Sequence, residues 1–263
     1  GMAGVHGEIT RLYLALLDRS PDEGGLSYWL SRRQNGASLR AVVAFFRNSP
    51  EFEARFGSMI GASTEEWVDF IYLQVLGRQS DPSGKAFWVQ LIESGSASKE
   101  DLIIHFSESP EFQIITGTGL TGFLHLVEES EGLYAAEGNR YTYAASGSHL
   151  WARSTTYITV VDGIVVERSY ELDWDWDGDI DESWTETGDE IGSHEAGEAA
   201  ETIPEVHATC AELLTTLDPI AHELYLRVDE VDRVEACGGI HRQIADATDP
   251  MVEIYDFEVL GDQ

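Results

Sequence analysis

Lysine is nearly absent from this 263-residue chain: it occurs only at Lys85 and Lys99, and Lys and Arg together number 16 against 48 Asp and Glu. A formal net charge of −32 argues against binding nucleic acid or an anionic membrane through a basic surface. It points instead to cations, cationic partners or a salty milieu. Long apolar runs are also missing, and no window approaches the ~18 apolar residues of a membrane helix, so no transmembrane segment is expected. The motifs of nucleophilic and cofactor chemistry are absent too: there is no Gly-x-Ser-x-Gly, phosphate loop, dinucleotide fingerprint or His-Glu-x-x-His. Carboxylates are so abundant that no acid/base pair stands out, and an enzyme is not expected.

Cysteine occurs twice, at Cys210 and Cys237. A disulfide between them would stabilise by about 3 kcal/mol in the loop-entropy model and point to an oxidising compartment. Buried free thiols are the alternative. Gly1-Met2 reads as a cloning remnant before a start codon, and the next residues lack the basic and apolar regions of a secretory leader. The protein is then either cytoplasmic or deprived of its leader.

An internal repeat organises the first part of the chain. Leu12-Tyr13 aligns with Ile71-Tyr72, Leu17 with Leu76, Arg19 with Arg78, Asp22 with Asp81, Gly25 with Gly84, Tyr28 with Phe87 and Trp29 with Trp88. After one inserted residue Ala37-Ser38 aligns with Ala97-Ser98, Phe46 with Phe106, and Ser49-Pro50-Glu51-Phe52 with Ser109-Pro110-Glu111-Phe112. Such sustained matching marks a duplication. Ile9, Leu12, Tyr13, Leu16 and Leu17 have helical spacing, as do Trp67, Phe70, Ile71, Gln74 and Val75. Ser20-Pro21-Asp22 and Ser80-Asp81-Pro82 start a second helix carrying Trp29 or Trp88 on its buried face, and Asn35-Gly36 or Ser94-Gly95 stops it. Ser38 or Ser98 caps a third helix, and Ser49-Pro50 or Ser109-Pro110 opens a short fourth. Arg19 and Arg78 could bind an anion in forked geometry, but their recurrence favours a structural ion pair with Asp22 or Asp81, partly buried. The two tryptophans read as core aromatics before sugar platforms.

The run from Leu17-Asp18-Arg19-Ser20-Pro21-Asp22 to Tyr28-Trp29, with Ser49-Pro50-Glu51-Phe52 and the second copy, resembles domain of unknown function 4214 over roughly residues 8–115. The resemblance implies an all-helical accessory unit of bacterial secreted and surface proteins, and supplies no catalytic residues.

After Gly138 the period becomes alternating. Tyr141-Thr142-Tyr143 begins a strand, and Thr155 to Val161 and Ile164 to Leu172 flank an Asp162-Gly163 hairpin turn. A helix opens at Thr202-Ile203-Pro204-Glu205 and presents Val206, Cys210, Leu213, Leu214 and Leu217 on one face. Leu224 to Val228, Val231 to Cys237 and Val252 to Val259 read as three further strands. The predicted fold class is an all-α N-terminal module (1–118, repeats 8–57 and 67–117) followed by an α+β module (119–263) with an antiparallel sheet. Tyr141-Thr142-Tyr143, the Val160-Val161-Asp162-Gly163 turn, the Cys210 helix and Cys237-Gly238 resemble domain of unknown function 6174 over about 120–258. That resemblance implies an exported or lipoprotein-like protein, although Ser146 to Ala152 lack the family's usual cysteines.

Asp173, Asp175 and Asp177, with Gly178 and Ile180, occupy positions 1, 3, 5, 6 and 8 of a calcium loop, where glycine permits the sharp turn. Position 12 is Trp184 in place of the bidentate Glu. Glu182 at position 10 can serve, as in the shorter excalibur-type calcium motif that the segment resembles. The candidate metal ligands are thus Asp173, Asp175, Asp177, Asp179 and Glu182, with weakly held Ca²⁺ as the cofactor. The rival reading is a solvated acidic hairpin tip within a stretch, 167–206, that holds fifteen Asp and Glu against one Arg. His207-x-x-Cys210 with Cys237-x-x-x-His241 has zinc-like spacing, but the disulfide uses the same sulfurs. The resulting expectation is a non-enzymatic secreted or cell-envelope protein, binding an envelope protein or glycan and modulated by calcium. The alternatives are an enzyme acting on envelope carbohydrate or peptide in an inter-domain cleft, and a regulator presenting a sheet face with Trp174, Trp176 and Trp184 exposed.

Overall fold

The computed structural model describes residues 4–149, 152–218, 221–241 and 249–261. They fall into two compact units, Gly1–Gly122 and Phe123–Gln263. In the first, α1 (Val5–Leu17), α2 (Glu23–Gln34), α3 (Leu39–Arg47) and α4 (Pro50–Phe56) form one copy of the repeat. The other copy is α5 (Thr64–Leu76), α6 (Pro82–Glu93), α7 (Lys99–Ser107) and α8 (Pro110–Thr116). The starts of α2 and α6 use the side chain that the sequence supplies: Asp22 and Asp81 accept the Gly25 and Gly84 N–H at 2.8 Å, satisfying donors that helix geometry leaves unpaired. Ser38, Ser98, Ser49 and Ser109 cap α3, α7, α4 and α8 in the same way.

Trp29 and Trp88 are buried, as are Ile9, Leu12, Tyr13, Leu16 and Leu17. The buried face of α5 runs through Trp67, Val68, Ile71, Tyr72, Val75 and Leu76; the expected Phe70 packs at its edge against Trp67, Phe52 and Phe56, half-buried, and only Gln74 departs from the apolar face. Gln74 instead donates to the Ala15 carbonyl and to Asp18. The expected ion pairs of Arg19 with Asp22 and of Arg78 with Asp81 are present at 3.8 Å, but a second carboxylate holds each arginine more closely. Arg19 forks onto both oxygens of Glu51 at 2.9 and 3.0 Å, and Arg78 onto Glu111 at 2.7 and 3.1 Å. Both forked pairs are exposed, where partly buried pairs were expected, and Asp22 and Asp81 serve as helix caps as well. With both arms taken, and the guanidiniums lying over the Tyr13 and Tyr72 rings, neither arginine forms an open anion site.

In the second unit α9 (Gly119–Ala136), which belongs to it from Phe123 onward, and α10 (Ile203–Thr216) accompany two antiparallel sheets. One has the order β4-β3-β2-β1-β8, from β1 (Tyr141–His149), β2 (Ala152–Val161), β3 (Ile164–Asp173), β4 (Glu182–Thr187) and β8 (Tyr255–Val259); the other has the order β5-β6-β7, from β5 (His222–Val228), β6 (Val234–His241) and β7 (Met251–Glu253). The expected single strand over 252–259 is therefore two strands of different sheets. They divide at buried Ile254, whose N–H donates to the Glu235 carbonyl. Tyr134, Tyr143, Ile158, Val160, Ile203 and Ile254 form one core; Val127, Cys210, Leu214, Val234 and Cys237 form another. Cys210 of α10 and Cys237 of β6 lie at disulfide distance, their Cα atoms 5.7 Å apart.

Candidate metal centre

β3 ends at Asp173 and β4 begins at Glu182, so the acidic segment between them is a turn pinned at both strand ends. Asp181 N–H donates to the Leu172 carbonyl at 2.8 Å, and Trp174 N–H donates to Asp181 Oδ2 at 2.8 Å. Within the turn, Gly178 N–H donates to Asp173 Oδ2 at 3.1 Å and Asp179 N–H to Asp177 Oδ1 at 2.9 Å. Gly178, at φ +93°, supplies the left-handed residue that the calcium-loop pattern reserves for glycine.

The turn gathers carboxylate oxygens of Asp173, Asp175 and Asp177 to within 4.8 Å of one another. An ion coordinated by oxygens at about 2.4 Å can span that separation. Asp173 differs from its neighbours because it is only 3% exposed, and its Oδ1 is buried without a hydrogen-bond partner among the described residues. A buried carboxylate oxygen left unpaired is costly unless a cation or water reaches it. Asp175 and Asp177 are exposed. The Asp175 carboxyl is pushed above its ordinary value, first by Asp177, then by burial and by Asp181 and Asp173. Asp179 and Glu182 are exposed and stand outside the cluster. Asp181, which the loop numbering did not select, adjoins it.

The zinc-like spacing does not form a site. Buried His207 uses Nδ1 on the Ile203 carbonyl and Nε2 on Ser130 Oγ, both at 2.8 Å, so neither ring nitrogen is free to bind metal.

Sequence reasoning missed a second polar centre, although the lone arginine of the acidic stretch was its signal. Buried Arg168 donates to Glu186 and to the carbonyls of His194, Ala196 and Glu198. Glu186, 1% exposed, also accepts the Gly192 and His194 N–H groups and the Ser193 hydroxyl. Burial opposes ionisation there, but these hydrogen bonds with Arg168 and the His194 ring hold the carboxyl far below its ordinary range. The His194 ring lies 2.9 Å from Glu186 through Nδ1 and stacks on Trp184 at 4.3 Å. Trp184, which the regulator reading would expose, is packed between His194 and Tyr170. Trp174 and Trp176 are exposed.

Beside this network a cavity of about 160 Å³ is lined by Tyr143, Glu198, Glu201, Thr209 and Glu253, among others. Burial and the nearby Glu253 raise the Glu198 carboxyl; Arg168 opposes them and Glu201 adds to them. Ser146 donates to Glu253.

No curated protein and no solved structure matches the chain. Residues 8–56 and 43–115 match the model of a family described as Domain of unknown function (DUF4214). The expected resemblance thus holds across both copies, and the helical unit carries a DUF4214 repeat.

Proposed function

We propose that the protein is a non-enzymatic interaction module of a bacterial secreted or cell-envelope context, engaging an envelope protein or glycan, with calcium held at the β3–β4 turn. The observation that carries the metal reading is Asp173, whose buried Oδ1, without a hydrogen-bond partner among the described residues, belongs to a carboxylate clustered with Asp175 and Asp177. Calcium would take oxygen ligands from these three residues and, with a small shift, from Asp181. The resemblance expected of residues about 120–258 to domain of unknown function 6174 would support an exported setting, and the net charge of −32 fits a cationic partner. Thermal unfolding of the full chain in millimolar calcium and in EDTA tests the metal: a higher midpoint in calcium is expected, lost in Asp175→Asn, and an unchanged midpoint removes it. Cosedimentation with isolated cell walls tests the partner. Calcium-dependent retention is expected, and retention in neither condition removes the envelope reading.

One observation favours an enzyme: Glu198 and Glu253 share a cavity, and burial raises the Glu198 carboxyl, as a general acid requires. Its volume, about 160 Å³, falls below the roughly 300–1,000 Å³ of ordinary ligand pockets. The interaction reading is therefore preferred.

A further inference from the structure

Arg153 stands directly opposite Asp173 in the register of β2 with β3. Its Nη2 is 4.0 Å from Asp173 Oδ2, too far for a hydrogen bond, and its Cζ lies 5.7 Å from the centre of the Trp176 ring. The guanidinium thus screens the buried carboxylate without satisfying it. Oδ1 keeps no hydrogen-bond partner among the described residues. The Arg153 side chain is 55% exposed, so it can swing into water without opening the core. Trp176 is half exposed and sits in the left-handed region at φ +63°, a conformation that bulky residues adopt only when neighbouring contacts hold them.

We propose that Arg153 is the built-in counter-ion of the β3–β4 turn and that a divalent cation displaces it, releasing Trp176 from the guanidinium. This rests on the proposed calcium site and adds its regulation. A divalent ion within reach of Asp173, Asp175 and Asp177 places two positive charges beside the guanidinium, and the two cations compete for the same carboxylate. The ion can reach one carboxylate oxygen from each of Asp173, Asp175 and Asp177 together, whereas Arg153 comes only within 4.0 Å of Asp173 Oδ2. Binding then frees the face of Trp176 that the guanidinium covers, beside Trp174, which is exposed in either state. Calcium would thereby set whether both faces of Trp176 are available to a partner.

Calcium titrations of the full chain, of Arg153→Gln and of Trp176→Phe, by calorimetry with tryptophan emission in parallel, test the exchange. Arg153→Gln is expected to bind calcium roughly five- to tenfold tighter at low salt, the gain shrinking as salt rises. Calcium should change the emission of the wild type, and this change should be lost in Trp176→Phe and reduced in Arg153→Gln. Equal affinities with calcium heat in both proteins overturn the exchange and leave the metal centre standing, as does an emission change in Trp176→Phe equal to that of the wild type. No calcium heat in any of the three overturns the metal centre and the exchange with it.

Discussion

Arg168 Nη1 lies 3.0 Å from Glu186 Oε2, and both side chains are almost wholly buried. The pair ties the segment around 192–198 to β3 and β4, because Arg168 also holds three of its carbonyls and Glu186 two of its N–H groups. Removing one partner strands the other's charge in the interior. Arg168→Met is expected to cost about 3–5 kcal/mol, and Arg168→Met with Glu186→Leu to cost less than the single change. Urea unfolding followed by circular dichroism measures both. A single variant as stable as the wild type would show the network to be ornamental.

Two carboxyls in this region give opposite pH dependences. Glu186 is held below its ordinary value of 4.5, so its stabilisation is present above about pH 4.5 and is lost as the pH falls through the folded value. Glu198 is raised above 4.5; its protonated form suits the fold, and its contribution, full below about pH 4.5, is lost as the pH rises through the folded value. Glu198→Gln mimics the protonated carboxyl and should raise the melting midpoint at pH 7 but leave it unchanged near pH 4. Melting curves at both pH values decide it, and an equal gain at both would contradict the assignment of Glu198.

What the sequence disclosed was mostly local. Asp22, Ser38 and Ser49 cap helices because cap chemistry involves only the next three residues. Asp162-Gly163 forms its hairpin because both residues take positive φ, 53° and 75°. Trp29 and Trp88 are buried because their spacing on α2 and α6 turns them inward. What stayed hidden depends on contacts across the chain. Glu51 as the partner of Arg19 is set by how α4 folds back, and nothing next to Arg19 in sequence signals it. β4 lies in an acidic stretch that reads as a solvated loop until Tyr170 and His194 are seen to sandwich Trp184. The calcium-loop pattern located the metal candidate but not the burial of Asp173, which comes from its place at the end of β3 opposite Arg153.

Cys210 and Cys237 join α10 to β6 in a core that also contains Val127, Leu214 and Val234. Both cysteines are buried, so reduction should lag behind local opening and not follow reductant concentration alone. Replacing both with serine is expected to cost about 3 kcal/mol from loop entropy, with a further penalty for the buried hydroxyls. Replacing both with alanine isolates the first contribution. Denaturant midpoints of the two variants against the oxidised wild type measure the difference; an alanine pair as stable as the wild type would mean that the bridge adds nothing.

Gly84 recurs with Tyr72, as Gly25 does with Tyr13, because each glycine faces its tyrosine's hydroxyl. A Cβ at Gly25 would stand 2.6 Å from the Tyr13 hydroxyl, and one at Gly84 would collide with that of Tyr72. Tyr72 is buried, and its ring packs edge-on against Phe106, so the hydroxyl cannot swing aside. Two effects oppose each other in Gly84→Ala. Helix propensity favours alanine by about 0.5–1 kcal/mol, while forcing an atom into a packed core costs about 1–3 kcal/mol. The collision should win, leaving a net loss of about 1–2 kcal/mol. In a Tyr72→Phe background the nearest obstruction is gone and only the Asp81 cap oxygens, at 2.9 and 3.0 Å, crowd the new atom, so the same change should cost clearly less. Gly132, a helical glycine in α9 with nothing within 4 Å of its Cβ position, serves as the control, where alanine should stabilise by about 0.5–1 kcal/mol. Chemical unfolding of the four Tyr72/Gly84 combinations gives the coupling directly. Additive losses would mean that the repeated glycine answers to the backbone and not to the tyrosine.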